Sequence, residues 1–285
     1  MRHAVLGTGG IGGLIAAALA RHGAEVVLLM RPETIPGYSG RMVVESAVLG
    51  NFDVEVHAAP RLDEQVDALW IAVKAMQLEA AIELAAPEGV ADAAVVPLMN
   101  GVDHVALLRG RYSNVVAGAI RVESERIAPG HIHQTSPFLR VELAGAEPLA
   151  AELRAAGIET TIRHDEQTLL WEKLAFLAPL ALATTALDAP LGGVRDDERY
   201  QRSQREALAV ARAQGATLDE EALYKLVAAA PASMRSSMQK DVAAGRAPEL
   251  DAIAGPILRG GDRHGLDVKG TRALADQISA RVSPA

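Results

Sequence analysis

The sequence predicts an α/β domain followed by an all-helical domain, and three observations carry that prediction. The chain opens as strand, turn, helix and strand around a glycine-rich turn. Short, almost wholly apolar runs then alternate with helical segments, the pattern of a parallel sheet covered by helices. From about Asp165 the strand pattern stops and long segments of helical period take over. The expected boundaries are therefore residues 1–165 and 166–285.

The opening stretch, His3 to Arg31, organises the rest. A strand over Ala4 to Leu6 runs into Gly7-Thr8-Gly9-Gly10-Ile11-Gly12, a G-x-G-x-x-G turn. Gly7 permits the sharp turn, Gly9 lets a pyrophosphate approach the backbone, and Gly12 lets the helix pack close on the sheet. The helix that follows, over Leu14 to Ala20, offers unpaired N–H groups and the positive end of its dipole to phosphates. The competing reading is a glycine-rich turn with no ligand, and the flanking strand and helix weigh against it. A second strand, Glu25 to Met30, ends at Arg31. An acid near this position would hold a ribose 2′-hydroxyl, whereas an arginine suits a 2′-phosphate, so NADP is favoured over NAD. A solvated loop cation is the alternative for Arg31, and Glu33 lies close by.

Further along, Arg41 to Glu45 and Asp53 to His57 read as an antiparallel hairpin beside the main sheet. Asp67 to Val73, Ala93 to Met99 and Val115 to Ile120 read as buried parallel strands, with a helix over Leu78 to Ala86. Ligands of open α/β sheets bind at the carboxyl ends of the strands. Lys74, Asn100 and the region of Ser124 fall at or near such ends. Gly130 to Leu143 holds two more strands, Pro148 to Ala156 a helix, and Glu159 to Arg163 a last strand. His131 and His133 share a strand face, but no third metal ligand is evident, so a hydrogen-bonded or solvated face is favoured.

The second domain is read as helices over Glu166 to Ala183, Asp196 to Gln214, Asp219 to Ala229, Ala232 to Ala244, Leu250 to His264 and Thr271 to Arg281. The first becomes apolar on every side and is expected to be buried. Gly215 reads as a helix-ending residue.

Composition narrows the function. At 285 residues the chain is long enough for two domains and a substantial core. A net charge of −8 argues against a nucleic-acid partner. The absence of cysteine excludes disulfides, thiolate metal sites and a cysteine nucleophile. No signal peptide is read at the start, and Ala175 to Ala186, the most membrane-like run, is too short to span. A cytoplasmic protein acting on a small molecule, with no membrane or nucleic-acid partner, is expected. The alanine-rich helical region is compatible with a homodimer, although no residue pattern fixes one.

Two stretches carry chemistry. Lys173 interrupts the otherwise apolar LLWEKLAFLAPLAL. It either reaches outward to water or is functional; desolvation there would suit it to give up a proton near neutral pH. In Ser236-Ser237-Met238-Gln239-Lys240-Asp241, followed by Glu249, the hydroxyls either hold a substrate carboxylate or cap a helix. From spacing alone the cap is favoured.

Taken together, these stretches resemble the ketopantoate reductase (2-dehydropantoate 2-reductase) family. The fingerprint with Arg31, then VKAMQ, MNG, WEKLA and SSMQKDVAAGRAPELD, occur in the family's order along nearly the whole chain. The resemblance implies an N-terminal Rossmann domain, a helical C-terminal domain, and NADPH-dependent reduction of ketopantoate to pantoate. It assigns Lys173 as the lysine that protonates the developing alkoxide, and Ser237 as a substrate contact. The segment Gly7 to Gly12, Arg31, Lys74, Asn100, Ser124 and Glu249 match cofactor-binding positions, Asn100 also orienting the keto group.

The chain departs from the family where asparagines are usual. One and two turns beyond Lys173 stand Leu177 and Ala181; a loop asparagine falls at Leu191, and a polar position before the serine pair at Met234. An apolar pocket cannot select a substrate by pairing its hydroxyls. A paralogue that reduces a 2-oxo acid or ketone with a more apolar tail is therefore the same-class alternative. A non-catalytic NADP-binding sensor is the alternative of a different class, and the retained lysine and glutamate weigh against it.

Overall fold

The computed structural model describes residues 1–282. It contains two compact units, one of Met1–Met99 with His104–Glu166, the other of Asn100–Asp103 with the chain from Gln167 onward.

The first unit begins β1 (Arg2–Leu6), α1 (Gly10–Arg21), β2 (Glu25–Leu29), β3 (Arg41–Ser46), β4 (Phe52–Glu55), β5 (His57–Ala59), β6 (Ala68–Ile71), α2 (Leu78–Ile82) and β7 (Ala94–Pro97). It continues α3 (His104–Arg109), β8 (Gly118–Arg121), β9 (Ser124–Ala128), β10 (His131–Gln134), β11 (Arg140–Ala144), α4 (Glu147–Ala155) and β12 (Glu159–Arg163). Five strands form the parallel sheet β5-β2-β1-β6-β7. A second sheet is ordered β4-β3-β10-β9 and a third β12-β11-β8. Helix α1 packs on β1 and β2 and also on strands of the second sheet. It is covered on both sides, which is why Leu14 to Leu19 is apolar without a polar stripe and wholly buried.

Two strand expectations change. β3 and β4 do form an antiparallel pair, but in the second sheet, where β3 also runs parallel to β10. It is the separate strand β5 that joins the main sheet, beside β2. Val115 to Ile120 is not a further parallel strand: Val115 makes only an isolated bridge to Val95, and β8 then pairs antiparallel with β11. An apolar run buried on both faces does not encode which neighbour it will pair with.

The second unit comprises α5 (Glu166–Leu187), α6 (Leu191–Val194), α7 (Glu198–Ala213), α8 (Glu220–Ala229), α9 (Ser237–Ala243), α10 (Leu250–His264) and α11 (Lys269–Val282). At 22 residues α5 is long and apolar enough to cross a membrane, contrary to the shorter run read from sequence. Its most apolar window is 78% buried among the other helices, which makes it the core of this unit. The buried Glu206 carboxylate on α7 accepts the Gly270 and Thr271 amides at 2.8 and 2.7 Å, and so caps the start of α11.

The helix expected over Ala232 to Ala244 begins only at Ser237. The carbonyls of Ala232 and Met234 accept amides of Gly192 and Leu191 at the start of α6, so the backbone there is committed to another helix. The Ser236 hydroxyl then accepts the Gln239 amide at 3.0 Å and starts α9.

Residues Asn100–Asp103 belong with the helices rather than with the strand that precedes them. Gly101 has φ +88°, and a Cβ there would lie 2.6 Å from the Ala252 carbonyl oxygen. Val102 packs on the helical core. Arg259 of α10 pairs with both Asp103 and Asp251. A boundary drawn at one point in the sequence cannot express this return.

In the first unit, His3 is fully buried, and its Nδ1 accepts the Trp70 Nε1–H at 3.2 Å. That bond requires a neutral imidazole with its proton on Nε2, which lies 3.7 Å from Glu152. Burial lowers the His3 pKa, and Glu152 offsets this only in part. The neutral form favours folding, so its contribution is complete above the unfolded-state pKa, about 6.5, and is lost as pH falls below it. Urea-unfolding free energy should therefore drop between pH 6.5 and 5 by up to about 1.4 kcal/mol per pH unit. His3→Gln, which keeps an acceptor for Trp70, should flatten this slope; identical slopes in the two proteins would refute the assignment.

Candidate active site

The glycine-rich turn joins β1 to α1. Gly7 has φ +101°, and a Cβ there would stand 2.7 Å from the Ala72 backbone. At Gly12 it would stand 1.8 Å from the Gly7 carbonyl oxygen, so a side chain at either position would push α1 off the sheet. A Cβ on Gly10 would strike the Ser124 carbonyl oxygen at 2.2 Å. Gly9 differs, because nothing lies within 4 Å of its Cβ position. Gly9 is also the N-cap of α1 and supplies no side-chain cap. The first turn of the helix therefore keeps amides to offer beside an open cradle, which fits a dinucleotide pyrophosphate held by the segment Gly7 to Gly12, with Thr8 and Ile11 between the glycines.

Ser124 stands at the start of β9, a strand that the sequence reading did not anticipate. Its hydroxyl donates to the Gly10 carbonyl at 2.9 Å. Its observed contact is thus to the loop, and it positions the turn.

Arg31 lies just beyond β2, mostly exposed, with Nε 3.4 Å from the Glu33 carboxylate. Lys74 follows β6, half-buried, at the N-cap position of the short turn Ala75–Gln77. Both sit past the carboxyl ends of parallel strands, where the sheet topology puts ligands.

The remaining candidates belong to the helical unit. Asn100 Nδ2 donates to Glu249 Oε2 at 3.3 Å, across a separation of 149 residues. Glu249 precedes α10 and makes no cap bond to its own helix, its carboxylate being turned to Asn100 instead. Lys173 lies on α5, half-buried, with Leu169 and Leu170 a turn before it and Phe176 and Leu177 a turn after. Ser237 is exposed as the first residue of α9. Ser236 is buried, caps α9 and hydrogen-bonds Thr184 at 3.0 Å, so the capping role falls to Ser236.

The apolar replacements divide into two kinds. Ala181 and Leu191 are each 1% exposed and belong to the core of the helical unit. They fill space between helices and offer no surface to a ligand, contrary to the expectation that Leu191 would meet a substrate tail. Leu177 and Met234 are only partly buried, as is Phe176. Phe176 was missed in the sequence, although its place one turn beyond Lys173 marks the same helix face.

Of the two strand histidines, His131 is accounted for by hydrogen bonding, its Nε2 lying 2.7 Å from Glu45 Oε1. No cluster of three or more potential metal ligands occurs among the described residues.

Comparison with known proteins shows the family and the fold. The chain matches the family "Ketopantoate reductase PanE/ApbA" over residues 3–148 and that family's C-terminal part over residues 165–282. A 2-dehydropantoate 2-reductase of Caulobacter vibrioides is 32% identical over 284 residues, 92% of this chain and 93% of the relative. The crystal structure of a PanE/ApbA family ketopantoate reductase from Ralstonia eutropha JMP134 superposes with a TM-score of 0.89 at 27% identity, covering 99% of this chain and 98% of that one. A D-mandelate dehydrogenase solved with NADH and anilino(oxo)acetate shares the fold, with a TM-score of 0.87 at 20% identity over 99% and 98% of the two chains.

The open space at Gly9 separates binding from folding. Gly9→Val should fold with the wild-type circular dichroism spectrum and thermal midpoint, yet bind NADPH at least about tenfold more weakly in a fluorescence titration, because its branches would occupy the cradle. Unchanged affinity would show that the cradle does not receive the dinucleotide.

Proposed function

The chain belongs to the ketopantoate reductase family of oxidoreductases, and we propose that it reduces a 2-oxo acid to the 2-hydroxy acid with NADPH, ketopantoate being the first substrate to test. The observation that carries the reading is the Asn100–Glu249 hydrogen bond. Two residues with no local reason to meet are held together in the unit that also carries Lys173. A polar pair of this kind, beside the start of α10 and on a segment with left-handed Gly101, suits a group that must be held in one orientation.

The dinucleotide would be held by the segment Gly7 to Gly12 with Arg31, Lys74, Asn100 and Glu249, and when bound supplies the hydride for the carbonyl carbon. Everything else falls to this chain's side chains. Lys173, as the ammonium, gives a proton to the carbonyl oxygen as negative charge develops there, leaving a neutral amine that regains its proton from water. Asn100 orients the keto oxygen through its side-chain amide, and Glu249 fixes that amide by accepting from Nδ2. The exposed Ser237 hydroxyl donates to the substrate carboxylate. Arg31 pairs with the 2′-phosphate, exchanging its exposed contact with Glu33 for a charge-assisted one.

A second reading is favoured by Phe176 and Leu177, one turn beyond Lys173 on α5, and by Met234, all partly buried apolar residues of the helical unit. Such side chains suit a 2-oxo acid with a branched or aromatic tail better than one with a hydroxyl. A substrate panel of ketopantoate, 2-oxoisovalerate and phenylglyoxylate separates the two by kcat/KM. A highest value for ketopantoate rejects the second reading, and turnover of any of them at an ordinary enzyme rate rejects a non-catalytic sensor.

Two substitutions test the assignments. Lys173→Ala should lower kcat by about 100-fold or more while NADPH affinity stays within about twofold of wild type. Near-normal turnover would remove Lys173 from the chemistry. Arg31→Ala should raise KM for NADPH about tenfold and leave that for NADH unchanged, the control cofactor being the one held by the mandelate dehydrogenase. Equal effects on both cofactors would take the 2′-phosphate away from Arg31.

A further inference from the structure

The reaction proposed above leaves one charge without a counterpart. A 2-oxo acid is an anion at neutral pH. Of the groups assigned to it, Ser237 and Asn100 are neutral, Glu249 is an acid, and the charge of Lys173 is used at the keto oxygen. A carboxylate taken out of water needs a cation or several hydrogen bonds in place of its hydration. The helical unit carries such a cation two residues before Ser237.

Arg235 is exposed, and no described residue pairs with its side chain. Other arginines of the unit are committed: Arg202, Arg212, Arg246 and Arg259 each pair with a carboxylate. Local composition explains the difference. No acid occurs from Ala222 to Lys240. Upstream, Glu221 pairs with Lys225; downstream, Asp241 is engaged by Arg246 at 2.7 Å.

The backbone that carries Arg235 is nevertheless fixed. The Met234 amide donates to the Pro231 carbonyl, and the Met234 carbonyl accepts from the Leu191 amide, both at 2.9 Å. On the other side, Ser236 is buried and its hydroxyl lies 3.0 Å from that of Thr184 on α5. Ser236 has extended backbone, φ −68° and ψ 154°. In extended chain the two neighbours of an inward side chain share the opposite face, and Arg235 and Ser237 are both exposed. A guanidinium free of partners and a free-standing hydroxyl thus open to the same side of an anchored segment, next to the partly buried Met234.

We propose that Arg235 is a substrate-binding residue that receives the carboxylate of the 2-oxo acid, with Ser237 donating to the same group. The planar guanidinium matches a carboxylate through two parallel N–H donors. The site therefore selects acids, and the ester of the same carbon skeleton is a poor ligand. The assignment rests on the reductase reading for the identity of the ligand, and binding and turnover test the two separately.

Ketopantoate, 2-oxoisovalerate, phenylglyoxylate and methyl phenylglyoxylate are titrated calorimetrically into the full chain saturated with NADP, which has no hydride to give. At least one acid should bind saturably. Arg235→Ala should weaken it about tenfold or more, and Arg235→Lys should recover part of the loss. Lys240→Ala, which removes an equal charge one turn beyond Ser237, should change it by less than about twofold. The ester should bind no better to wild type than to Arg235→Ala. The thermal midpoint of Arg235→Ala should match wild type, since an exposed side chain without partners is lost. Wild-type affinity in Arg235→Ala, equal losses in Arg235→Ala and Lys240→Ala, a loss for the ester as large as for the acid, or no saturable binding of any acid would each overturn the proposal. Binding that depends on Arg235, with no NADPH oxidation by the wild type, would reject the reductase and keep the carboxylate site. NADPH oxidation by Arg235→Ala with an unchanged KM for the acid would reject the site and keep the reductase.

Discussion

The first unit depends on how closely α1 approaches the end of β1. The Gly12 backbone sits against the Gly7 carbonyl so tightly that a single added carbon would lie 1.8 Å from its oxygen. That contact fixes where the helix begins and which amides face outward. The second sheet closes over the other side of α1: Ser124 ties the turn to β9, and Gly13 admits Ile132, whose Cδ1 would lie 2.5 Å from an added Cβ. The glycines of this turn therefore serve two ends. Gly7, Gly10, Gly12 and Gly13 are small because protein presses on them, and Gly9 is small where nothing does.

In the helical unit the comparable constraint is α5. Its buried length sets the axis on which the remaining helices pack, and Thr184 on it hydrogen-bonds Ser236 at the start of α9. Glycines on α10 permit close approach to neighbours: a Cβ at Gly260 would meet Val210 at 2.4 Å. Residues 100–103 leave the strand β7 to pack with these helices, and in doing so bring Asn100 to Glu249. The candidate catalytic Lys173 and the candidate cofactor contacts Asn100 and Glu249 thus share one packed unit, and the glycine-rich cradle belongs to the other.

The apolar departures from the family pattern are of unequal consequence. Ala181 and Leu191 are core residues, and their exchange for asparagine would bury an amide among alkyl groups. Leu177 and Met234 are not closed off in this way, and neither is Phe176. Substrate preference is therefore expected to follow those three accessible side chains rather than the full set of replaced positions.

Much was legible in the sequence because it rests on local physics. The G-x-G-x-x-G turn follows from the conformations and clearances that only glycine allows, the boundaries of α10 from Leu250 to the left-handed Gly265 match the helical period and its stop signal, and the lysine within an apolar helix is conspicuous by composition alone. Tertiary structure alone decided what depends on partners remote in sequence. It sent β3, β4 and β8 to sheets other than the main one, because strand periodicity does not name a neighbour. It delayed α9 to Ser237, because carbonyls at Ala232 and Met234 are bound by α6. It joined Asn100 to Glu249, since a hydrogen bond between residues remote in sequence is a property of the packed chain.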